Sequence, residues 1–432
     1  MSREMKDSGI AWIGKIPLNW RCSLVKQHLR WKSEKGQPNE RVLSLYRDYG
    51  IVPKDSRDDN HNVTSLDTSS YKVVDVGDFV INKMKAWQGS MAVSEYRGII
   101  SPAYHVCSFT DHEINKRYLH HLLRCSAYLP EYTRLSTGLR VGQWDLGFDD
   151  FKNIPIICPP YEEQELIVSF IERQCVEINT ATDKTRASIE EYKKLKQAVI
   201  TQAVTKGIRG KRPMKDSGVE WFPKIPKELT VSRVGLHFNI ILGKMLCAKP
   251  MDESYSLESY FCAADVHFDG VTVGNQKKMW FSPPEKEQFK VKAGDLLVVE
   301  GGAGAGGCAI VEALEDDVYI QNSIMIVRAK DTNHNRYLKY LIEFLVKQGY
   351  IDVACNKATI PHFTKDKLGN MPFLTFEGEE QLEIADYLDK TCSEIDTLIA
   401  KKEQYLVELE NYKKSLIYEY VTGKKEVPDR VD

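Results

Sequence analysis

The chain has no Cys-x-x-Cys, no long apolar run and no surplus of positive charge, and each absence removes a class of protein. Its ten cysteines stand singly from Cys22 to Cys392, whereas a zinc site or redox dithiol normally shows close pairs. Free thiols in a reducing compartment are the simpler account. No apolar stretch approaches the roughly 20 residues that span a bilayer. The opening Met-Ser-Arg-Glu-Met-Lys-Asp also lacks the apolar core of a signal peptide. A cytoplasmic protein without membrane contact is expected. His120-His121 is the only adjacent histidine pair, in a helix-like stretch without a Cys or acidic set beside it. Packing or a surface role is expected there, and no metal. The formal net charge is −2, unlike a strongly basic DNA-binding domain. If nucleic acid is bound, positive charge must be local, or a partner must supply much of the grip on phosphates.

What the chain does have is length and repetition. At 432 residues, 42% hydrophobic and 28% charged, it has the balance of a globular protein and exceeds one ordinary core. Met5-Lys-Asp-Ser-Gly-Ile-Ala-Trp-Ile-Gly-Lys-Ile-Pro17 returns as Met214-Lys-Asp-Ser-Gly-Val-Glu-Trp-Phe-Pro-Lys-Ile-Pro226, identical at nine of thirteen positions and offset by 209. Downstream the offset is 217: Gly77-Asp78 matches Gly294-Asp295, and Asn153-Ile154-Pro155 matches Asn370-Met371-Pro372. Glu162-Glu163-Gln164 matches Glu379-Glu380-Gln381, and Val204-Thr205 matches Val421-Thr422. The chain is two copies of one unit, the second about eight residues longer in its front part.

Each copy opens with a mixed region and closes with a long helix. Tyr71-Lys-Val-Val-Asp-Val-Gly-Asp-Phe-Val-Ile and Phe289-Lys-Val-Lys-Ala-Gly-Asp-Leu-Leu-Val-Val both read as strand, turn, strand around Gly-Asp. Helical patches follow at Arg117-Tyr-Leu-His-His-Leu-Leu and Arg336-Tyr-Leu-Lys-Tyr-Leu-Ile, which makes the class α+β. In 162–206 the apolar or small positions Ile171, Cys175, Ile178, Ile189, Tyr192 and Val199 follow a heptad spacing. The later copy offers Leu388, Cys392, Ile395, Ile399, Leu406, Leu409 and Leu416. These are coiled-coil seams, with glutamates in the first turn and Gly207 or Gly423 as the stop. A helix of about 45 residues extends roughly 65 Å. Two similar seams in one chain are natural partners. The expected plan is two tandem globular domains, 1–157 and 211–374, each followed by a helical segment, 158–210 and 375–432. The helices are expected to pair as an antiparallel coiled coil with pseudo-two-fold symmetry.

Two readers on a rigid spacer suit a DNA target with two separated half-sites, since major-groove faces recur about every 34 Å. The Lys-Asp-Ser-Gly-x-x-Trp and Lys-Ile-Pro openings resemble those of type I restriction–modification specificity subunits. So do the Ile-Pro-Ile-Ile-Cys-Pro-Pro-Tyr-Glu-Glu-Gln lead-in to the first helix and the Tyr-Glu-Tyr-Val-Thr-Gly-Lys end of the second. The resemblance covers essentially the whole chain. It implies that each target-recognition domain reads half of a bipartite site in double-stranded DNA. It also implies that the helices set the spacer and dock two methyltransferase subunits, restriction subunits joining afterwards. S-adenosylmethionine, ATP and magnesium would then belong to those partners and not to this chain, which would be non-catalytic.

Arg and Gln suit bidentate contacts with guanine and adenine, so the first domain's candidates are Lys83, Lys85, Trp87, Gln88, Arg140, Gln143 and Trp144. In the second domain the expected equivalents are Lys277, Lys278, Lys357, Thr359 and His362, with Asn322 apart. For any one of them the plain alternative is a solvated charge, or core packing for the tryptophans. Cys158-Pro-Pro-Tyr161 resembles the Asn-Pro-Pro-Tyr of adenine methyltransferases, but cysteine cannot replace the amide's hydrogen bonds and prolines suit a helix entrance. A methyltransferase acting alone rests mainly on this motif. A coiled-coil scaffold without a DNA role is the third reading. Gly301–Gly307 lacks the Gly-Lys-Ser/Thr of a phosphate loop, and Asp295 is expected to serve its turn.

Overall fold

In both copies the Lys-Asp-Ser-Gly motif turns the chain for reasons internal to four residues. Asp7 Oδ1 accepts a hydrogen bond from the Gly9 amide at 2.9 Å, and Ser8 Oγ one from Ile10 at 3.1 Å. Gly9 takes φ 72°, a left-handed conformation open to glycine without strain. Strand Met5–Asp7 then pairs antiparallel with Lys15–Pro17. In the second copy Asp216 accepts from Gly218 (2.8 Å), Ser217 accepts from Val219 (2.9 Å), and Met214–Asp216 pairs with Lys224–Pro226. The repeat is one of hydrogen bonds as well as letters.

The computed structural model describes residues 3–35, 39–47, 49–56, 67–138, 144–355 and 361–428. The chain divides into two compact units, Met1–Arg186 with Glu403–Asp432, and Ala187–Lys402. The first is built on a four-stranded antiparallel sheet in the order Leu29–Lys32, Tyr104–Phe109, Phe79–Asn82, Met91–Val93. Phe79 and Ile81 belong to the cluster with Trp20 and Tyr118, while Val80 joins Leu43, Ile51 and Val106. A strand buried on both faces reads as an unbroken apolar run. The second unit repeats the sheet with Phe238–Leu242, Ile324–Ala329, Leu296–Val299 and Cys308–Ile310. Among the described residues no helix is long and apolar enough to cross a membrane.

The strand–turn–strand expectation needs two corrections. Lys72–Val74 and Phe79–Asn82 are both strands, but they do not pair with each other. The first pairs with Gly98–Ile100 in a separate sheet. In the second copy Phe289 ends a helix, Pro283–Phe289, whose start is fixed by a capping box of Ser282 and Glu285 around two prolines. The extra length of the second copy falls in this region. There, Lys277–Phe281, Ser256–Phe261 and Tyr319–Ile320 make a three-stranded sheet. In the first unit Gly50–Pro53 pairs with Leu43–Tyr46, a parallel bridge from Val42 to Ile99 joins these to Gly98–Ile100, and Gly98–Ile100 pairs with Lys72–Val74.

The Gly-Asp turn is a buried polar knot. Asp78 accepts from the Asp75 amide (2.8 Å) and Lys32 (3.1 Å). Asp295 accepts from the Lys292 amide (2.9 Å) and from Nε and Nη2 of Arg328, both 2.8 Å. The cations come from different strands, so the knot was kept while its partner changed. Asp295 is occupied by the turn.

The long helices run Tyr161–Lys206 and Gly378–Val421. Each compact unit contains a globular copy, the start of the helix after it, and the end of the other copy's helix. At the helix starts, Gln164 and Gln381 are buried. Gln164 donates to Pro159 O (2.9 Å) and Glu113 O (3.0 Å) and accepts from Asn115 N (2.7 Å). Gln381 donates to Phe376 O (2.8 Å) and accepts from His334 N (3.0 Å). At the helix ends, Tyr118 donates to Val421 O (2.9 Å), and Tyr337 to Val204 O (3.4 Å).

The helices lie antiparallel within each unit. In the first, Phe170 meets Tyr420 (ring centroids 4.5 Å) and Asn179 meets Lys413 (2.9 Å). In the second, Tyr192 meets Lys402 (5.6 Å) and Lys196 meets Asp396 (2.7 Å). Of the seam, Ile171, Ile178, Ile189, Leu388, Cys392, Ile395 and Leu416 are buried, and Cys175, Tyr192, Val199, Ile399, Leu406 and Leu409 half-buried. Heptad reading missed Ile167, Ile200, Ala203 and Ile384, which are buried in the globular cores. The heptad describes helix against helix, and near the helix ends the burying surface is the sheet domain.

Candidate nucleic-acid interface

Where strand Phe79–Asn82 ends, the chain enters a tight loop. Asn82 N donates to Ser90 O (2.9 Å) and Lys85 N to Asn82 O (3.0 Å), and Ala86–Gln88 forms one 3-10 turn closed by Gly89 at φ 75°. This loop carries Lys83, Lys85, Trp87 and Gln88. Facing it is the segment from Trp144, held by Leu146 N donating to Lys83 O (3.0 Å) and by His105 Nε2 at 3.1 Å from Leu146 O. Lys83 Nζ reaches Asp145 Oδ2 at 2.7 Å. The Trp87 and Trp144 rings stand edge to face at 5.6 Å, and Trp87 Nε1 donates to Met84 O (3.2 Å). Lys83, Trp87 and Trp144 are thus brought together. Lys85 is exposed and Gln88 half-buried beside them. Arg140 and Gln143 lie outside the described residues.

The second unit holds the same frame with other side chains. Phe363 N donates to Glu300 O (2.6 Å), Val299 N to Gly307 O (2.8 Å), and His362 Nδ1 lies 3.4 Å from Glu300 Oε2. Glu300 occupies the position of Lys83, and His362 that of Asp145. Lys277 and Lys278 are therefore not the equivalents of Lys83 and Lys85. They lie exposed on strand Lys277–Phe281, opposite Tyr260 and Ser259. The constant offset of 217 already aligned Lys83 with Glu300 and Asp145 with His362; matching by charge type missed it. Asn322 is less of an outlier than expected: the next residue's carbonyl accepts from Glu300 N (2.8 Å), and Asn322 N donates to Lys244 O (2.8 Å). Lys357 and Thr359 lie outside the described residues.

The glycine-rich segment closes on itself, Gly306 N donating to Val299 O (3.0 Å) and Gly307 N to Gly304 O (2.8 Å). Gly306 has φ 83°, and a Cβ there would strike Val346 and Ile351. It is a packed turn. Cys158 ends the strand Pro155–Cys158, paired with Arg21–Leu24. Its thiol lies 3.1 Å from Ser23 Oγ, and burial pushes its pKa up. His120 and His121 are half-buried in helix Lys116–Arg124, and desolvation pushes both below the ordinary histidine range. Among the described residues no group of His, Cys, Asp and Glu is arranged to hold a metal.

A model of the type I restriction modification DNA specificity domain matches residues 35–191 and 271–408. One match falls on each copy, and together they span more than half of the chain. The chain belongs to the type I restriction–modification DNA specificity family. Two solved structures share the fold of this specificity subunit. One comes from work on complex assembly and conformational transition of the type I R-M system, with TM-score 0.72, 17% identity, and coverage of 95% of this chain and 99% of that one. The other is the HsdS subunit from Thermoanaerobacter tengcongensis, with TM-score 0.57, 17% identity, and coverage of 95% and 98%. This chain is the DNA-specificity subunit of a type I restriction–modification system.

Proposed function

We propose that the two globular units read two different half-sites of a bipartite duplex target, and that the chain itself performs no chemistry. The observation carrying this reading is the repeated frame: Lys83 with Asp145 in one unit, Glu300 with His362 in the other. One backbone scaffold presents a cation and a carboxylate in the first unit, and a carboxylate and an imidazole in the second. Donors and acceptors are what base edges are read by, so two chemistries on one frame fit two sequences.

Lys83, Lys85, Trp87, Gln88, Arg140, Gln143 and Trp144 are the proposed contacts of the first unit. Lys277, Lys278, Asn322, Lys357, Thr359 and His362 are those of the second. The paired helices would set the unread spacer and dock two methyltransferase subunits, with restriction subunits joining them. S-adenosylmethionine, ATP and magnesium would be held by those partners, in the cytoplasm. Partners that close around the duplex account for a chain with net charge −2.

The test is to exchange 214–372 for the matching segment of a homologue and map methylation in a host carrying the whole system. One half of the methylated motif should change and the other persist. A change in both halves would end the modular reading.

A further inference from the structure

Beside the candidate loop, the first unit has an open cleft of about 420 Å³ whose lining includes Lys26, Arg30, Trp31, Phe148 and Lys152. Trp31 stands on the edge strand Leu29–Lys32 and is 50% exposed, an unusual cost for the largest apolar side chain. Its ring lies 5.7 Å from Phe148 and 6.4 Å from His105, and Lys72 Nζ sits 5.8 Å from its centroid. Phe148 belongs to the segment that begins at Trp144, so the cleft continues the candidate loop's surface. Its charge is of one sign. Arg30 has no ion pair among the described residues, Lys26 donates to Asn153 (3.0 Å), and Lys152 alone pairs with a carboxylate, Asp149.

The fold does not require this cleft. In the second unit the position of Trp31 is taken by Ile240, 9% exposed, on a strand of the same register. There Gly235 and Gly369 stand where the first unit has Lys26 and Lys152, and a Cβ on Gly235 would press on the backbone of Gly369 at 3.2 Å. The aromatic and basic side chains that line the cleft in one copy are replaced at the matching positions of the other by Ile240, Gly235 and Gly369.

We propose that this cleft seats the sugar-phosphate backbone of the duplex next to the first unit's half-site, Arg30, Lys26 and Lys152 facing phosphates and the Trp31 ring lying against a deoxyribose. Such contacts fix register without reading sequence. The assignment rests on the first unit reading DNA, and the test separates the two claims. The assembled methyltransferase–specificity complex is titrated, by fluorescence anisotropy, against a duplex carrying its methylated motif and against a scrambled duplex. Salt is varied from 50 to 200 mM, for wild type, Arg30→Ala, Trp31→Ala and Trp31→Phe. Arg30→Ala should weaken both duplexes by the same factor, about tenfold, and lower the salt slope by roughly 0.9. Trp31→Ala should also weaken both equally, and Trp31→Phe should restore most of the loss, with the methylated motif unchanged throughout. Unchanged affinity in the alanine variants, weakening confined to the motif duplex, or loss of methyltransferase assembly would each overturn the backbone assignment. Wild-type complex that fails to distinguish the two duplexes would instead overturn the reading on which it rests.

Discussion

Lys83 provides the sharpest separation between a stabilising and a reading role. Its side chain is 31% exposed and that of its partner Asp145 44% exposed, at 2.7 Å. An ion pair this wet contributes between nothing and about 1 kcal/mol to folding. Lys83→Ala should therefore lower the melting temperature by no more than about 4 °C. If Lys83 instead reaches a base edge, losing that contact removes about 1–3 kcal/mol of discrimination, roughly 5- to 150-fold in relative affinity. Thermal unfolding of the variant gives the first quantity. Anisotropy titrations against the motif duplex, and against duplexes altered in one half-site at a time, give the second. Asp145→Ala should move the other way on non-specific DNA, which gains several-fold in affinity once the carboxylate neutralising Lys83 is gone. Equal weakening of Lys83→Ala on motif and altered duplexes would place the lysine on a phosphate. A stability loss of several kcal/mol would make it structural. Either result refutes base reading at this position.

Three further outcomes follow from the frame. Tyr118→Phe removes the hydroxyl bonded to Ile157 O and Val421 O; it should cost about 1–2 kcal/mol and speed hydrogen exchange around 416–423, while Tyr337→Phe should do so around 200–206. Asp295→Asn removes the negative charge and one of the two oxygens that accept from Arg328 and leaves a half-buried guanidinium without its counter-ion, so a loss of about 3 kcal/mol is expected in denaturant unfolding. His121 is pushed down to about 3 by burial, with Arg124 and Arg117 adding to it. Because an unfolded histidine titrates near 6.5, only the unfolded chain takes up this proton as pH falls. The associated stability is complete above about 6.5 and shrinks toward 3. His121→Gln should flatten the stability–pH curve over that range by up to about 1.4 kcal/mol per pH unit, measured by urea unfolding.

The scaffold was legible because its physics is local and written twice. Lys-Asp-Ser-Gly and Gly-Asp accept hydrogen bonds from backbone within three residues, the Gln of Glu-Glu-Gln donates to a carbonyl five residues back, and these bonds recur in both units. The identical Arg-Tyr-Leu triplets at 117 and 336 were read only as helical patches, yet their tyrosines fasten the helix ends. Nothing in a heptad pattern signals that a helix ends in another copy's core. The interface was less legible for the opposite reason. Lys277 and Lys278 have the right charge but stand on a strand outside the frame, whereas Glu300 has the unexpected sign at the matching position. Trp31 gave no signal at all, since its exposure is set by neighbours distant in sequence, Phe148 and His105 among them.

That divergence constrains the target. Two units with the same side chains on the same frame would favour two equal half-sites. Here the pair at matching positions is Lys83–Asp145 in one unit and Glu300–His362 in the other. A lysine only donates and a carboxylate only accepts, so the first position cannot offer the same partner to a base edge in both. The aromatic pair Trp87–Trp144 is matched by Gly304 and Pro361, which removes the ring contact altogether. The two halves of the motif should therefore differ in sequence, and methylation mapping by long-read sequencing would read them directly. A motif whose halves are inverted repeats of each other would mean that these positions do not select bases and that the shared frame does.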